Sequence, residues 1–227
     1  MVQKTVARYH CRIMSRREFQ KLLSQEELRI FQKLDSPGKI QDFLDSLPIN
    51  FELRGETYMS PRRVLRERTA HCFEGALLAA AALAYHGKKT LLLDLRTSVD
   101  DEDHVITLYR ENGCWGAISK TNHPVLRFRD AVYKTPRELV MSYFHEYFMS
   151  KNGKKTLREY SNPFDLSRYK LSSWLITEAD LHWLVKALDD APHLKIASKK
   201  ALQKLRPASA LEIKATDKKE WKPRKRR

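Results

Sequence analysis

A cysteine and a histidine stand out in this chain because their types and surroundings suit nucleophilic chemistry. Cys72 directly precedes a long alanine-rich apolar segment, and His104 opens a strand-like run 32 residues later. A thiol attacks best as thiolate, which the positive end of a helix dipole and a nearby imidazolium both favour. Thiol acyl-transfer enzymes place a cysteine and a histidine on separate elements that converge in space. We therefore expect Cys72 to be a nucleophile and His104 its general base.

The segment that precedes Cys72 predicts three helices. Apolar residues at helical spacing predict a helix over 15–34, and Asp-Ser-Pro-Gly at 35–38 ends it. A second short helix is predicted over 39–47. Ser60 followed by proline is typical of an N-cap and a first helical residue, which predicts a third helix over 61–67.

The segment that follows Cys72 predicts a buried helix and a small sheet. The helix is apolar nearly all round and should end at Gly87. Residues 90–95 fit a buried strand, and Asn112-Gly113 between two strand-like runs predicts a hairpin over 105–119. Helices are predicted over 136–148 and 177–188. The fold class is thus α+β, with a three-stranded antiparallel sheet packed on the central helix that begins at the cysteine.

The positive charge is concentrated near the C-terminus. Residues 193–227 hold 13 Lys/Arg against 3 Asp/Glu, a net of +10, which leaves +5 for the remaining 192 residues. We expect a helical segment over 1–59, a core over 60–192 and a basic, flexible tail over 193–227. Such a tail suits nucleic acid or another acidic partner, with Trp221 available for stacking.

Composition excludes several classes of protein. No apolar run approaches the roughly 18 residues of a membrane span, and the N-terminus lacks a signal-peptide pattern, so we expect a cytoplasmic protein without a membrane partner. Cys11, Cys72 and Cys114 are too few for a disulfide framework and form no CxxC pair. We expect no structural zinc, no other cofactor, and a structural role for Cys114.

Together these features resemble the transglutaminase-like superfamily, which is related to papain-type peptidases. The resemblance covers about residues 60–125: a cysteine at a buried helix start, a histidine opening a strand, and a hairpin to a strand that carries Trp115. It implies a transglutaminase-like core with a triad of Cys, His and Asp in that chain order. Cys72 and His104 take the first two positions.

At the third position of the triad, this sequence differs from the family that it resembles. That position lies four residues beyond Trp115 and holds Ser119 instead of aspartate. A hydroxyl can accept a hydrogen bond from the imidazole but carries no charge to stabilise imidazolium. Asn122 is a second candidate to orient the ring, as asparagine does in papain-type enzymes. Lys120 is a poor orienter and would instead neutralise an anionic substrate.

Other interpretations of the same residues stay open. Cys72 alone could be a small core residue or a redox-sensing thiol, although no resolving cysteine is near in sequence. The acidic loop 100–103 lacks the pattern of an EF-hand. The aromatic residues of 143–148 either pack on the sheet or wall a groove. A zinc site is a further alternative, with His71, Cys72, Asp103, His104 and His123 as ligands, although their spacing matches no recognised zinc-binding pattern.

Two functions follow from this sequence. The first is hydrolysis or transfer of an acyl group through a thioester on Cys72, with a protein, a peptide or an amide-containing small molecule as substrate. The second is a catalytically degenerate member of the same fold that binds an acidic partner through its basic tail.

Overall fold

The structure, a computed structural model, describes residues 12–53 and 55–223. Within them the chain forms ten α-helices, a short 3-10 helix at Leu166–Arg168 and seven β-strands. The α-helices are α1 (Arg16–Leu22), α2 (Gln25–Lys33), α3 (Pro37–Asp45), α4 (Pro61–Glu67), α5 (Cys72–Tyr85), α6 (Pro136–Phe144), α7 (Leu171–Leu175), α8 (His182–Asp189), α9 (Lys199–Leu202) and α10 (Ala210–Thr216). The strands are β1 (Leu91–Arg96), β2 (His104–Glu111), β3 (Cys114–Ile118), β4 (Arg129–Tyr133), β5 (Glu159–Ser161), β6 (Phe164–Asp165) and β7 (His193–Lys195).

The seven strands form one antiparallel sheet packed against α5, which confirms the α+β class. The strand order is β4-β3-β2-β1-β5-β7, and β6 also pairs with β1. The expected meander of β1, β2 and β3 is the centre of this sheet. The expectation of three strands alone is wrong because β4 to β7 hold only two to five residues each, too few for a clear alternating pattern.

Helix α5 lies on one face of the sheet and is buried along almost its whole length. Val105 and Tyr109 of β2 pack on this side, while Ile106 and Leu108 point to the other face, as a two-residue strand period requires. The hydroxyl of Thr107 donates a hydrogen bond to the carbonyl of Ala76, 2.6 Å away. This bond fixes the N-terminal part of α5 along β2.

The opposite face of the sheet is covered by α6 and by the chain that follows β7. Tyr143 of α6 and Ile196 are both buried in this second layer. Both faces of the central strands are therefore apolar, which explains why β1 and β2 are nearly continuous hydrophobic runs. Among the helices of residues 12–53 and 55–223, none combines the length with the apolar character that crossing a bilayer requires.

Local signals in the sequence are confirmed where they act over a few residues. The Ser60 hydroxyl accepts a hydrogen bond from the Arg63 N–H at the start of α4. Gly87 follows the end of α5 with a φ of +72°. Asn112 and Gly113 have φ values of +49° and +81°, the left-handed conformations that a two-residue hairpin turn demands.

The single helix expected over 15–34 is instead two helices. The first ends at Leu22, and Ser24 caps the second: its hydroxyl accepts from the Glu27 N–H at 3.2 Å, and the Glu27 carboxylate accepts from the Ser24 N–H at 2.6 Å. This reciprocal capping box begins a new helix although the apolar spacing continues through it.

The helix expected from Thr177 begins later, at His182. Asp180 is of a residue type that often caps a helix start, but here it has other partners. Its carboxylate accepts hydrogen bonds from the N–H of Tyr58 at 2.8 Å and from the guanidinium of Arg63 at 2.7 Å. These long-range bonds hold the segment before α8 as a loop.

The C-terminal segment, expected as a flexible tail, packs on the body over its described part. β7 pairs with β5 at the edge of the sheet. Further along, Ala208 is buried and its N–H donates to the carbonyl of Gly153 at 2.9 Å. A side chain at Gly153 would lie 2.6 Å from the Ala208 carbonyl, so a glycine is required there.

Candidate active site

Cys72 is the first residue of α5 and His71 is its N-cap. Glu74, in the first turn, accepts a hydrogen bond from the His71 N–H at 3.0 Å. The first amides of a helix have no partner within it, so they remain free to bind an anion that forms beside Cys72. The helix start therefore positions both the thiol and a set of backbone donors.

The carboxylate of Glu74 is fully buried and holds the loop before α4 against α5. It accepts hydrogen bonds from the Met59 N–H at 3.0 Å, from the Asn50 amide at 3.1 Å and from the Thr57 hydroxyl at 3.2 Å. A buried carboxylate is tolerated only when several donors replace its water. Glu74 thus fixes the walls around the helix start.

His104 is the first residue of β2 and its ring is buried. Its Nε2 lies 2.8 Å from the Oγ of Ser119, and that hydroxyl donates its proton to the carbonyl of Leu126 at 2.6 Å. Because a serine has one hydroxyl proton, Ser119 must accept from His104, so Nε2 carries the hydrogen. The other nitrogen, Nδ1, is left to serve the thiol of Cys72, which lines the same cleft.

Ser119 is held by a buried amide from α3. The Gln41 side chain accepts from the Ser119 N–H at 3.0 Å and donates to the Ser119 carbonyl at 2.8 Å. The same amide donates to Asp45 at 2.9 Å. This two-point contact, across 78 residues of chain, fixes the backbone that orients His104.

Lys120 is buried and has a structural partner, which overturns its expected role as a cation for the substrate. Its ammonium donates to the carbonyls of Leu44 and Leu47, 2.8 and 2.5 Å away, where α3 ends. Burial lowers the pKa of Lys120 to about 8. The stem of Lys120 passes over Gly75, where an added Cβ would lie 2.5 Å from the Lys120 Cβ. Gly75 therefore permits the close approach of this strand end to α5.

Asn122 does not take the ring-orienting position that the sequence offered it. Its amide donates to the Trp221 carbonyl at 3.1 Å and accepts from the Trp221 N–H at 2.7 Å. The backbone of Asn122 also accepts from the Glu220 N–H at 3.1 Å. Asn122 thus anchors the C-terminal segment, and the half-buried Trp221 is part of that contact.

The electrostatics of the site favour a thiolate. Burial opposes the charge on Cys72, but hydrogen bonds from His104 and His71, together with their positive charges, hold the pKa of the Cys72 thiol well below its usual range. Burial likewise opposes charge on His71, yet its contacts with Cys72 and Glu74 raise the pKa of His71 to about 9.

A cleft of about 650 Å³ opens beside the thiol. Tyr147 lines it and donates from its hydroxyl to the Glu102 carbonyl at 2.6 Å, while Phe148 forms part of the same wall. Tyr143 and Phe144 pack on the sheet instead, so the aromatic segment serves both expected purposes. The cleft is lined by residues from six regions of the chain, among them Asn50, Glu52, His71, Cys72, Asp101, Asp103, His104, His123, Tyr147, Phe148, Thr216 and Lys219.

The remaining candidates are placed outside the thiol chemistry. Within residues 12–53 and 55–223, no three His, Cys, Asp or Glu side chains are arranged to hold a metal ion. In the acidic loop, Asp101 accepts from the Thr156 hydroxyl and Asp103 from the Thr97 N–H. Cys114 is half-buried on β3, and Cys11 lies outside the described residues.

Sequence reasoning identified Cys72, His104 and Ser119, and the structure brings these three together. It gave no role to Glu74 or Gln41, whose contacts depend on distant chain. One local signal was present for Glu74, because a carboxylate three residues after a helix cap is a capping-box pattern. No protein-family model matches this chain, and no curated protein matches it.

Proposed function

We propose that this protein is a cysteine-dependent amide hydrolase or acyl transferase built on a transglutaminase-like core. One observation carries the proposal. The thiol of Cys72 and the buried ring of His104 line the same cleft, and the Nε2 of that ring is fixed on Ser119, which leaves its Nδ1 as the nitrogen that can serve the thiol. The chain order also supports it, since the cysteine begins the central helix and the histidine begins a strand of the sheet that packs on it.

The acylation step follows from the ring geometry. Nδ1 of His104 accepts the thiol proton, and the thiolate sulfur attacks the carbonyl carbon of an amide to form a tetrahedral intermediate. When the C–N bond breaks, His104 returns that proton to the departing nitrogen, which leaves an amine and a thioester on Cys72. The backbone N–H of Cys72 at the start of α5 is the donor for the developing oxyanion.

The second step releases the acyl group. Nδ1 of His104 takes a proton from water or from an amine, which attacks the thioester carbon while the Cys72 sulfur departs and recovers the proton. Water gives hydrolysis and an amine gives transfer. The open cleft admits water, so hydrolysis is the outcome we expect for this site.

A mass-spectrometric trap tests the proposal. Incubation with p-nitrophenyl acetate is expected to add one acetyl group to Cys72, removable by hydroxylamine, with Cys114 as an internal control in the same molecule. His104→Gln should suppress this adduct at neutral pH. If Cys72 and Cys114 are acetylated at equal rates, or if His104→Gln changes nothing, the proposal is wrong.

A second candidate function is binding without chemistry, favoured by the exposed charges of the C-terminal segment. Among the described residues of this segment, nine cations face solvent, which suits a phosphate backbone or another acidic surface. They are Lys195, Lys199, Lys200, Lys204, Arg206, Lys214, Lys218, Lys219 and Lys222.

Salt dependence separates the two candidates. Binding to a single-stranded RNA of mixed sequence should weaken steeply as salt rises, with each neutralised phosphate adding roughly 0.7 to the logarithmic slope. Charge reversal of Lys199 and Lys200 should reduce that slope, whereas Cys72→Ala should not. A flat salt response would exclude this second function.

A further inference from the structure

A second histidine lies beside the thiol, and its surroundings differ from those of His104. His71 is the N-cap of α5, directly before Cys72, and both residues line the same cleft. Its Nε2 lies 2.8 Å from the Thr57 carbonyl, 3.4 Å from Glu74 Oε1 and 3.9 Å from Glu52 Oε1. All three neighbours are acceptors, so Nε2 must carry a hydrogen, and Nδ1 is the nitrogen left for the sulfur.

Glu74 places a fully buried carboxylate beside the ring of His71. Its side chain has no exposure to solvent, and five donors surround its two oxygens. Within the described residues, His71 is the cation with which Glu74 forms an ion pair. A buried carboxylate needs a nearby positive charge, and His71 can supply it only as imidazolium.

On the strand side of the site, the residue that orients His104 carries no negative charge like that of a carboxylate. The ring of His104 is oriented by the neutral hydroxyl of Ser119, where the related enzymes carry an aspartate. A catalytic carboxylate ordinarily stabilises the cation of a thiolate–imidazolium pair. The fully buried carboxylate of Glu74 lies on the helix side of the site, in contact with His71.

We propose that His71, held as imidazolium by Glu74, is the fixed counter-ion of the Cys72 thiolate, and that His104 alone carries the proton that moves during acyl transfer. This inference rests on the proposed function. His71 keeps its proton throughout: it donates a hydrogen bond from Nδ1 to the sulfur and neither gains nor loses a bond in the reaction. Ser119 carries no negative charge that could stabilise the imidazolium of His104. The positive charge of His71 instead stabilises the thiolate, which is the other member of the ion pair.

Other ionisable groups face the same atoms and set the background. Glu52 adds negative charge near Nε2 of His71, and the hydroxyl of Tyr147 lies across the cleft from the sulfur. Burial, with a further contribution from the Cys72 charge, raises the pKa of Tyr147 well above its usual value, so this phenol stays neutral at the pH of the experiments below. The rings of Tyr58 and His71 form an edge-to-face contact, and Tyr58 adds no charge to the site.

The pH dependence of iodoacetamide alkylation at Cys72 tests the inference in the full-length protein. His71→Gln retains a donor for Thr57 but removes the cation, and alkylation at pH 6 is expected to fall at least ten-fold while the rates converge near pH 9. Glu74→Gln should shift the profile in the same direction. His86→Gln is the matched control, because His86 caps the other end of α5 and contacts the Phe31 carbonyl at 2.8 Å.

Acetylation by p-nitrophenyl acetate distinguishes the two histidines. His71→Gln should recover acetylation at pH 9, where the thiol ionises without help, whereas His104→Gln should not. An unshifted alkylation profile in His71→Gln beside a shifted one in His104→Gln would overturn this inference and leave the proposed function standing. Unshifted profiles in both variants would overturn both.

Titration of the intact protein covers the case in which the His71 variant fails to fold. The ring proton of His71 is followed by NMR in the wild type and in Cys72→Ser. A thiolate partner predicts that the serine variant lowers the titration midpoint of His71 by at least one pH unit. A midpoint that is the same in both proteins contradicts the ion pair.

Discussion

Two strands of this sheet begin with a histidine whose side chain is buried, and the two rings have different partners. His104 opens β2 and contacts the hydroxyl of Ser119 at 2.8 Å. His193 opens β7 and contacts the carboxylate of Asp94 at 3.0 Å, with its second nitrogen 2.6 Å from the Ala191 carbonyl. Both nitrogens of His193 thus face acceptors, which requires the doubly protonated ring.

The difference separates a structural histidine from a reactive one. The bond to Asp94 raises the pKa of His193 and fixes a buried ion pair that ties β7 to β1. Ser119 orients the ring of His104 without fixing its charge, and the second nitrogen of that ring meets a thiol instead of a carbonyl. A ring that must gain and lose a proton is better served by a neutral partner at one end and a reacting atom at the other.

Glutamine substitution of each histidine should have the largest effects and should separate the reactive ring from the structural one. His104→Gln is expected to lower acetylation of Cys72 by about 10²–10⁴-fold, the usual contribution of a general base. His193→Gln leaves Asp94 buried without its cation and should lower the free energy of unfolding by about 3–5 kcal/mol. Mass spectrometry of the adduct and urea titration measure the two effects.

Each variant is the control for the other. His193→Gln should leave the acetylation rate of the folded protein unchanged, and His104→Gln should cost much less stability than His193→Gln. Equal losses of both properties in the two variants would erase the distinction between the rings.

Substitution of the serine beside each histidine should have a smaller effect on the same two properties. Ser119→Ala removes one oriented hydrogen bond to His104, about 1–1.5 kcal/mol, and should slow acetylation roughly ten-fold. Ser161 is buried beside the other pair and accepts from the Asp94 N–H at 2.9 Å. Ser161→Ala should cost about 1–3 kcal/mol of stability for the unsatisfied N–H and leave acetylation unchanged.

An acetylation assay beside thermal denaturation measures both serine variants. A Ser161→Ala protein that loses acetylation as Ser119→Ala does would show that the serine effect comes from general loosening of the sheet.

The smallest expected effect is the pH dependence of the stability that His193 contributes. Since the pKa of His193 is raised in the folded state, its contribution is complete below the unfolded value of about 6.5 and is lost as pH rises through the folded value. The stability difference between wild type and His193→Gln should therefore shrink between pH 6 and pH 9 in urea titrations. A difference that grows with pH would contradict the ion pair.

The parts of the fold that the sequence predicts correctly are those with short-range causes. Ser60 caps the residues that follow it, and Asn112-Gly113 turns its own hairpin. Cys72 and His104 were identifiable because a helix start and a strand start are local features. Ser119 followed from its position after Trp115 in the resemblance.

The parts that escaped prediction depend on distant residues or on very short elements. Gln41 meets Ser119 across 78 residues, and Asn122 meets Trp221 across 99, so neither residue type reveals its partner. The charge count made residues 193–227 look like a solvated tail, whereas Ile196 and Ala208 are buried in the body. Apolar spacing alone also concealed the break at Ser24, where a capping box outweighs periodicity.

The string His71-Cys72-Phe73-Glu74-Gly75 condenses much of the site into five consecutive residues. It supplies a ring on the sulfur, the sulfur itself, a buried carboxylate that anchors the neighbouring loop, and a position without a side chain for the crossing strand. It is therefore a compact query for other genomes: His-Cys-any-Glu-Gly opening an alanine-rich helix, with a histidine about 30 residues downstream.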